Sequence, residues 1–339
     1  MFAVGELGRC TLRPDTITGG GQDRGMEHAM SMRELRRPHR LRSGDTVALV
    51  APAGPVPEHL LDAGLAQLRS WGLNARVGKH VRDRHPHLDY LAGTDADRAA
   101  DLQEAWCDPD VTAVFCVRGG YGSMRILDHL DWTEMAAAGP KVFTGSSDIT
   151  ALHDAFATQL GVVTVFGPML ATKAFVEDLA AREHLRRTLF QPESVTILTR
   201  SSAGALVHGR ARGITYGGNL SIVAGSLGAP DAPTPPERGI AMLEDVTEDP
   251  YRLDRFVTQL LRAGWFDHAA GIALGSWTEC GPLEEVRAVM SDLLGSLGVP
   301  IMWELGFGHC DAQRTIPLGV AAELDTDAQR LSILQPALR

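Results

Sequence analysis

From residue 46 to residue 166 the chain repeats one pattern, and that pattern restricts the fold more than anything else in it. Short apolar runs at 46–50, 111–117, 141–144 and 162–166 alternate with amphipathic stretches at 58–71, 94–106, 124–130 and 149–159; residues 74–81 supply a further strand. A strand apolar on nearly every residue has no side to give to water and must be covered on both faces. With a helix between successive strands, the result is a parallel, doubly wound sheet in an α/β fold. Ligands of such sheets bind beyond the carboxyl ends of the strands. The turns at 51–55, 118–122 and 145–148 each follow a strand, so all three are expected at that edge.

At 339 residues the chain is too long for one ordinary core and fits two domains. The alternation changes character after residue 203. Residues 205–215 alternate in β fashion, 240–243, 272–274 and 300–303 read as strands, 251–265 and 283–297 as helices, and 321–334 as a hairpin around 325–327. The expected organisation is a disordered lead over 1–41, a doubly wound N-terminal domain over 42–170, a connector over 171–203 and a mixed α/β domain over 204–339. Met26, Met30 and Met32 are possible alternative starts within the lead, and no secretory signal pattern is present there. A formal charge of -10, with basic residues mixed among acidic ones, argues against a nucleic-acid partner. No apolar stretch is long enough to span a bilayer. Cys10, Cys107, Cys116, Cys280 and Cys310 are scattered and form no Cys-x-x-Cys pair, which suits a reducing compartment and indicates neither a zinc knuckle nor a disulfide framework.

Three groups carry chemistry. Val142-Phe143-Thr144-Gly145-Ser146-Ser147-Asp148-Ile149-Thr150 turns from a strand directly into a helix. A serine at such a turn is lifted out of the sheet beside the free N–H groups of the first helical turn, as a nucleophile with part of an oxyanion hole. On that segment alone, the plainer reading of Ser147 or Asp148 as a helix cap is favoured. Glu244 and Asp245 end an apolar run and are either solvated or placed for chemistry. His309 is the one histidine in a glycine-flanked turn after a strand of buried type, and metal binding is not expected there. The glycines of 118–122 can present backbone N–H groups to an anion, without Walker or dinucleotide spacing. Taken together, serine, carboxylate and histidine are the parts of a Ser–His–carboxylate relay in a cleft between the domains.

Phe143-Thr144-Gly145-Ser146-Ser147-Asp148-Ile149-Thr150, Arg118-Gly119-Gly120-Tyr121-Gly122, Leu243-Glu244-Asp245 with Pro250-Tyr251-Arg252-Leu253-Asp254-Arg255, and Gly308-His309 with Ile316-Pro317-Leu318-Gly319 resemble, in order, the motifs of the LD-carboxypeptidase family. These serine peptidases include the muropeptide LD-carboxypeptidases and the microcin C immunity peptidases. The resemblance runs from about residue 42 to the C-terminus. It implies Ser147 as nucleophile, Glu244 as the carboxylate and His309 as general base. The backbone N–H groups of Asp148 and of Gly119 or Gly120 are implied as the oxyanion hole. Ser147 rather than Ser146 matches because Asp-Ile-Thr follows it directly. Arg118, Tyr121, Ser146, Tyr216 and Asn219 are the substrate-binding candidates. The family implies no cofactor, a cytoplasmic homodimer and a small peptide substrate, cleaved at an amide near a free carboxylate through an acyl-enzyme. In the muropeptide branch the leaving residue is a terminal D-alanine, in cell-wall recycling; in the immunity branch it is a nucleotide-like moiety of a peptidyl or aminoacyl conjugate. That second branch implies an aromatic that stacks on the base, and between 171 and 202 only Phe175 and Phe190 are available, so the muropeptide branch is favoured. A reading from another class is a catalytically silent two-domain module binding an anionic ligand.

Overall fold

A computed structural model describes residues 35–230 and 232–339. The strands β1 (Thr46–Val50), β2 (Asn74–Val77), β3 (Val111–Cys116), β4 (Val142–Gly145) and β5 (Thr164–Phe166) form a parallel sheet in the order β5-β4-β3-β1-β2. Strand order reverses between β1 and β3, and there the turns after both strands meet: Gly54 N–H donates to Gly119 O at 2.9 Å. That crevice is where a doubly wound sheet offers a ligand site. Helices α1 (Glu58–Ser70) and α2 (Asp95–Cys107) match the expected amphipathic stretches closely, the second capped by Thr94.

Two other stretches wind differently. Residues 123–129 form a 3-10 turn, and the stretch read as one helix over 149–159 is a 3-10 turn at Ser147–Ile149, an α-helix and a π turn. A helix over Trp132–Ala137 (α3) is too short to show periodicity and is held by Asp131, which accepts from the N–H groups of Thr133 and Glu134. The α-helical part after the serine turn is α4 (Thr150–Ala155), and α5 (Lys173–Val176) and α6 (Leu179–Phe190) follow β5.

The second sheet has eight strands: β6 (Ile197–Thr199), β7 (Gly204–Val207), β8 (Arg210–Asn219), β9 (Gly239–Val246), β10 (Ala269–Thr278), β11 (Ile301–Trp303), and, after β12 (Ile316–Leu318), β13 (Ala321–Asp325) and β14 (Arg330–Ile333). Their order is β6-β14-β13-β8-β9-β10-β11-β7, with β8 to β11 mutually parallel and the flanks antiparallel. Helices α7 (Leu220–Gly225), α8 (Pro250–Arg262) and α9 (Leu283–Leu294) accompany it. The alternating run over 205–215 is two strands, because Gly209 at φ 144 breaks it and sends β7 to the sheet edge.

Three departures from the expected division concern where the chain crosses. β12 lies within the second half of the sequence yet pairs antiparallel with β5 as the sixth strand of the first sheet. β6 falls in the expected connector yet belongs to the second sheet. Residues 35–41, read as the end of a disordered lead, are packed: Arg36 bridges Val162, Leu35 and Leu41 are buried, and Leu41 N–H donates to Leu189 O. Residues 1–34, with Cys10 and the three internal methionines, lie outside the described residues.

One apolar cluster explains why the halves do not behave as separate beads. It runs from Leu49, Phe115 and Val165 of the first sheet to Met242, Ala273 and Met302 of the second, while each sheet's opposite face has a cluster of its own. A shared core makes opening one half costly to the other. We therefore expect urea unfolding followed by tryptophan fluorescence and by far-UV circular dichroism to give coincident single transitions; separated midpoints would show that the halves unfold independently.

Candidate active site

β4 ends at Gly145, Ser146 continues extended, and Ser147 takes φ 61, the left-handed region a side chain rarely enters. Such an outlier in a buried segment marks a residue held in place by its surroundings. The tight turn requires glycine at 145, where a Cβ would come within 2.7 Å of Ile149 Cγ2. Ser147 is partly exposed between buried neighbours, so its hydroxyl faces out of the sheet edge. Gly119 lies against it: a Cβ there would be 2.9 Å from Ser147 Cβ and 3.2 Å from its Oγ. The backbone of the glycine turn therefore approaches the serine as closely as a backbone can.

Asp148 has a different task from capping. Neither the 3-10 turn nor α4 has a side-chain cap. The buried Asp148 carboxylate instead accepts from Ser123 N–H at 2.8 Å, while Ser123 Oγ–H donates to Asp148 O. Burial pushes its carboxyl above the ordinary range, against the bonds from Ser123 and Gly122. Asp148 thus fastens the end of the 118–122 turn to the serine turn. Below them, buried His153 holds Gly145 O at 3.0 Å, and burial pulls its pKa down to about 4, so the ring is neutral and donates from Nε2.

The second sheet delivers the other groups to the same edge. Glu244, near the end of β9, is 0% exposed. Its Oε2 accepts from His309 Nδ1 at 2.7 Å and from His309 N–H at 3.2 Å; its Oε1 accepts from Asn219 Nδ2 at 3.3 Å. With Nδ1 engaged, Nε2 is the ring nitrogen left for proton exchange. Burial alone would lower the pKa of His309, but the charge and hydrogen bond of Glu244, with Asp245 beyond, raise it above the ordinary 6.5. Asp245 is itself pushed up to about 6, first by burial and then by neighbouring Glu244, while Asn219, Ser221 N–H and Val246 N–H bond to it. Thr150 joins the two halves: its Oγ1 accepts Asn219 N–H at 2.9 Å.

The other sequence candidates divide. Ser146 and His309 line a cavity of about 1000 Å³ whose wall also includes Met169, Lys173, Arg200 and Gln313. Arg118 is turned to Pro55 O, and Tyr121, 50% exposed, packs its ring against Tyr90. Asn219 is buried and occupied with the two carboxylates and the start of α7, so it positions Glu244 rather than lining the cavity. Tyr216 is corrected outright. It points away into the core of the second sheet, 4.7 Å from the Trp265 ring and against Gly239. Successive side chains of a strand alternate between its faces, and the pleat of β8 sends residue 216 to the packed one. Lys173, Arg200 and Gln313 were not legible in the sequence, since each is a lone polar residue in a segment without a motif. No group of three metal-ligating side chains occurs among the described residues.

Comparison with known proteins identifies the family and the fold. The LD-carboxypeptidase N-terminal domain matches residues 47–167 and the LD-carboxypeptidase C-terminal domain residues 212–324. A putative carboxypeptidase of Streptomyces coelicolor is 58% identical over 307 residues, covering 91% of this chain and 99% of its own. The murein tetrapeptide carboxypeptidase of Pseudomonas aeruginosa is 36% identical over 298 residues, covering 84% and 94%. Among solved structures, a microcin C7 self-immunity protein in complex with adenosine monophosphate superposes with a TM-score of 0.79 at 24% identity, covering 90% of this chain and all of that one, which is a likeness of fold. The two sheets, the serine turn and the Glu244–His309 pair belong to a two-domain α/β peptidase. The chain is a member of the LD-carboxypeptidase family.

Gly308, at φ 92, leaves no room for a side chain: a Cβ would lie 2.3 Å from Glu244 Oε2. Gly308→Ala is therefore expected to destabilise the protein by about 1–3 kcal/mol and to lower kcat/KM, because the histidine loop must move off its carboxylate. Thermal melting and steady-state rates check this; a variant with unchanged rate would show that the contact is not needed.

Proposed function

We propose that this protein is a serine peptidase in which Ser147 attacks, His309 accepts its proton and Glu244 holds the imidazole. The substrate is an amide next to a free carboxylate, with terminal D-alanine released from an L,D-linked muropeptide. The observation that carries this reading is the strained Ser147, partly exposed against the Gly119 backbone, at the same edge as a histidine bonded to a fully buried carboxylate.

Each part has a physical reason. A serine hydroxyl is a poor nucleophile at neutral pH and needs a base. Glu244 fixes the tautomer with the proton on Nδ1, so Nε2 is free to take the serine proton and later return it to the leaving amine. As the carbonyl becomes tetrahedral its oxygen gains charge. The N–H of Asp148 and those of Gly119 or Gly120 are the donors assigned to it, and a rigid, pre-aimed donor acts without reorganising. Asp148, tied to Ser123, keeps the two donor sources in register. Water then cleaves the acyl-enzyme by the same route.

Support for a muropeptide over a nucleotide conjugate comes from the aromatics of residues 171–202. Phe175 and Phe190 pack edge-on against Trp71 at 5.6 Å and 6.1 Å, which leaves neither ring to stack on a base.

The protein should release D-alanine from a tetrapeptide ending in that residue. Ser147→Ala should reduce turnover by several orders of magnitude with the melting temperature nearly unchanged. Ligand binding without turnover in the wild type would instead favour a silent binding module, and faster hydrolysis of aminoacyl sulfamoyl adenosine would favour the immunity reading. The base works only when neutral. Because the pKa of His309 is raised, kcat/KM should fall as pH drops through a value above 6.5. Glu244→Gln removes the main raising influence, so the acid limb should move to lower pH while the rate falls about 10⁴-fold. An acid limb that stays in place would take His309 and Glu244 out of their roles.

A further inference from the structure

Arg200 is placed where a solvated arginine has no need to be. It follows β6, is half-buried, and lies across Gly306 so closely that a Cβ added to that glycine would fall 2.3 Å from Arg200 Cδ. Its Nη1 donates to Cys310 Sγ at 2.9 Å, beside His309. Glu304 feels its charge, but the guanidinium closes no ion pair among the described residues. The thiol does not neutralise it, because burial pushes Cys310 above its ordinary value despite the guanidinium. A partly desolvated cation without a paired counter-charge is costly in the free protein, and an incoming anion removes that cost.

A second, independent group stands in the same wall. Gln313 is 5% exposed and lines the cavity with Arg200, and its Oε1 has no hydrogen-bond donor. The two are neighbours through the backbone, since Arg314 N–H donates to Gly306 O at 2.7 Å and Arg200 lies over Gly306. A buried acceptor without a donor is uncommon and points to a partner supplied from outside. One wall of the cavity thus offers a positive fork and, behind it, a buried acceptor that no donor of the protein fills. The matching ligand carries a carboxylate with an N–H one or two atoms away, which is the backbone of an amino-acid residue with a free carboxyl end.

We propose that Arg200 and Gln313 form the subsite that recognises the carboxyl-terminal residue of the substrate, Arg200 pairing with its free carboxylate and Gln313 Oε1 accepting its N–H. This rests on the reading of the cleft as a peptidase site and adds the group that makes it a carboxypeptidase. An ammonium in place of the guanidinium keeps the charge but loses the fork that fits two carboxylate oxygens.

The test compares two substrates on the full-length protein: a tetrapeptide ending in D-alanine, and the same peptide ending in D-alaninamide. The wild type should prefer the free acid in kcat/KM by on the order of 10- to 100-fold. Arg200→Gln should bring that ratio toward one, chiefly through loss on the free acid, and Arg200→Lys should restore part of it. Gln313→Leu should raise KM for the free acid with a smaller change in kcat, as expected for binding shared by ground and transition states. A ratio near one in the wild type overturns the subsite whether or not any variant folds, and so does a ratio preserved in a folded Arg200→Gln. Labelling of Ser147 by a fluorophosphonate, which carries no carboxylate, separates the two claims. A labelled enzyme that hydrolyses both peptides equally sinks the subsite alone; an unlabelled, inactive wild type sinks the peptidase reading and the subsite with it.

Discussion

A carboxylate with no access to water must be satisfied from within, and Glu244 is the point on which the arrangement of this molecule turns. It stands at the end of a strand in the middle of the second sheet, and the bonds it accepts come from Asn219 on the neighbouring strand and from both the ring and the backbone of His309. Removing any of these leaves a buried charge short of a partner, which is among the more expensive defects a protein can carry. The glycine at 308 lets the loop come down on that carboxylate. The chain from Glu244 continues through Asn219 to Thr150 on the helix behind Ser147, so the orientation of His309 and the position of the serine turn are tied by one connected set of bonds.

The serine side is built on backbone strain rather than charge. A left-handed Ser147 persists only because the surrounding packing over-determines it, with Ile149 over Gly145 and Gly119 pressed against its side chain. Asp148 and Ser123 then bind the glycine turn to it. The two sides use opposite devices for the same end: the Ser147 turn is held by sterics, and the His309 imidazole is held by a buried charge. The core shared between the sheets keeps both devices at one edge.

Much of this was legible from the order of residues alone. The apolar runs that cannot face water announced the parallel sheet, and the long helices at 58–70 and 95–107 were marked by their periodicity. The serine turn, Glu244 and His309 stood out because each breaks the local pattern of its strand or loop. Short-range signals failed where tertiary contacts outweigh them. Asp148 reads as a cap, yet its carboxylate is drawn 25 residues back to Ser123. Residues 316–318 are three apolar positions without periodicity, and only the free edge of β5 makes them a strand of the first sheet. Tyr216 sits beside the glycines of β8, but the pleat turns it into the core.

The sequence by itself determined the elements that depend on neighbours a few residues away: buried strands, amphipathic helices, tight glycine turns, and the three residue types a hydrolytic relay requires. Tertiary structure alone decided which of them meet. The Glu244–His309 bond spans 65 residues and the Arg200–Cys310 contact 110. No local pattern encodes such a pairing, because it arises from how two sheets pack over a common core, and a lone arginine acquires meaning only from the cavity it is left facing.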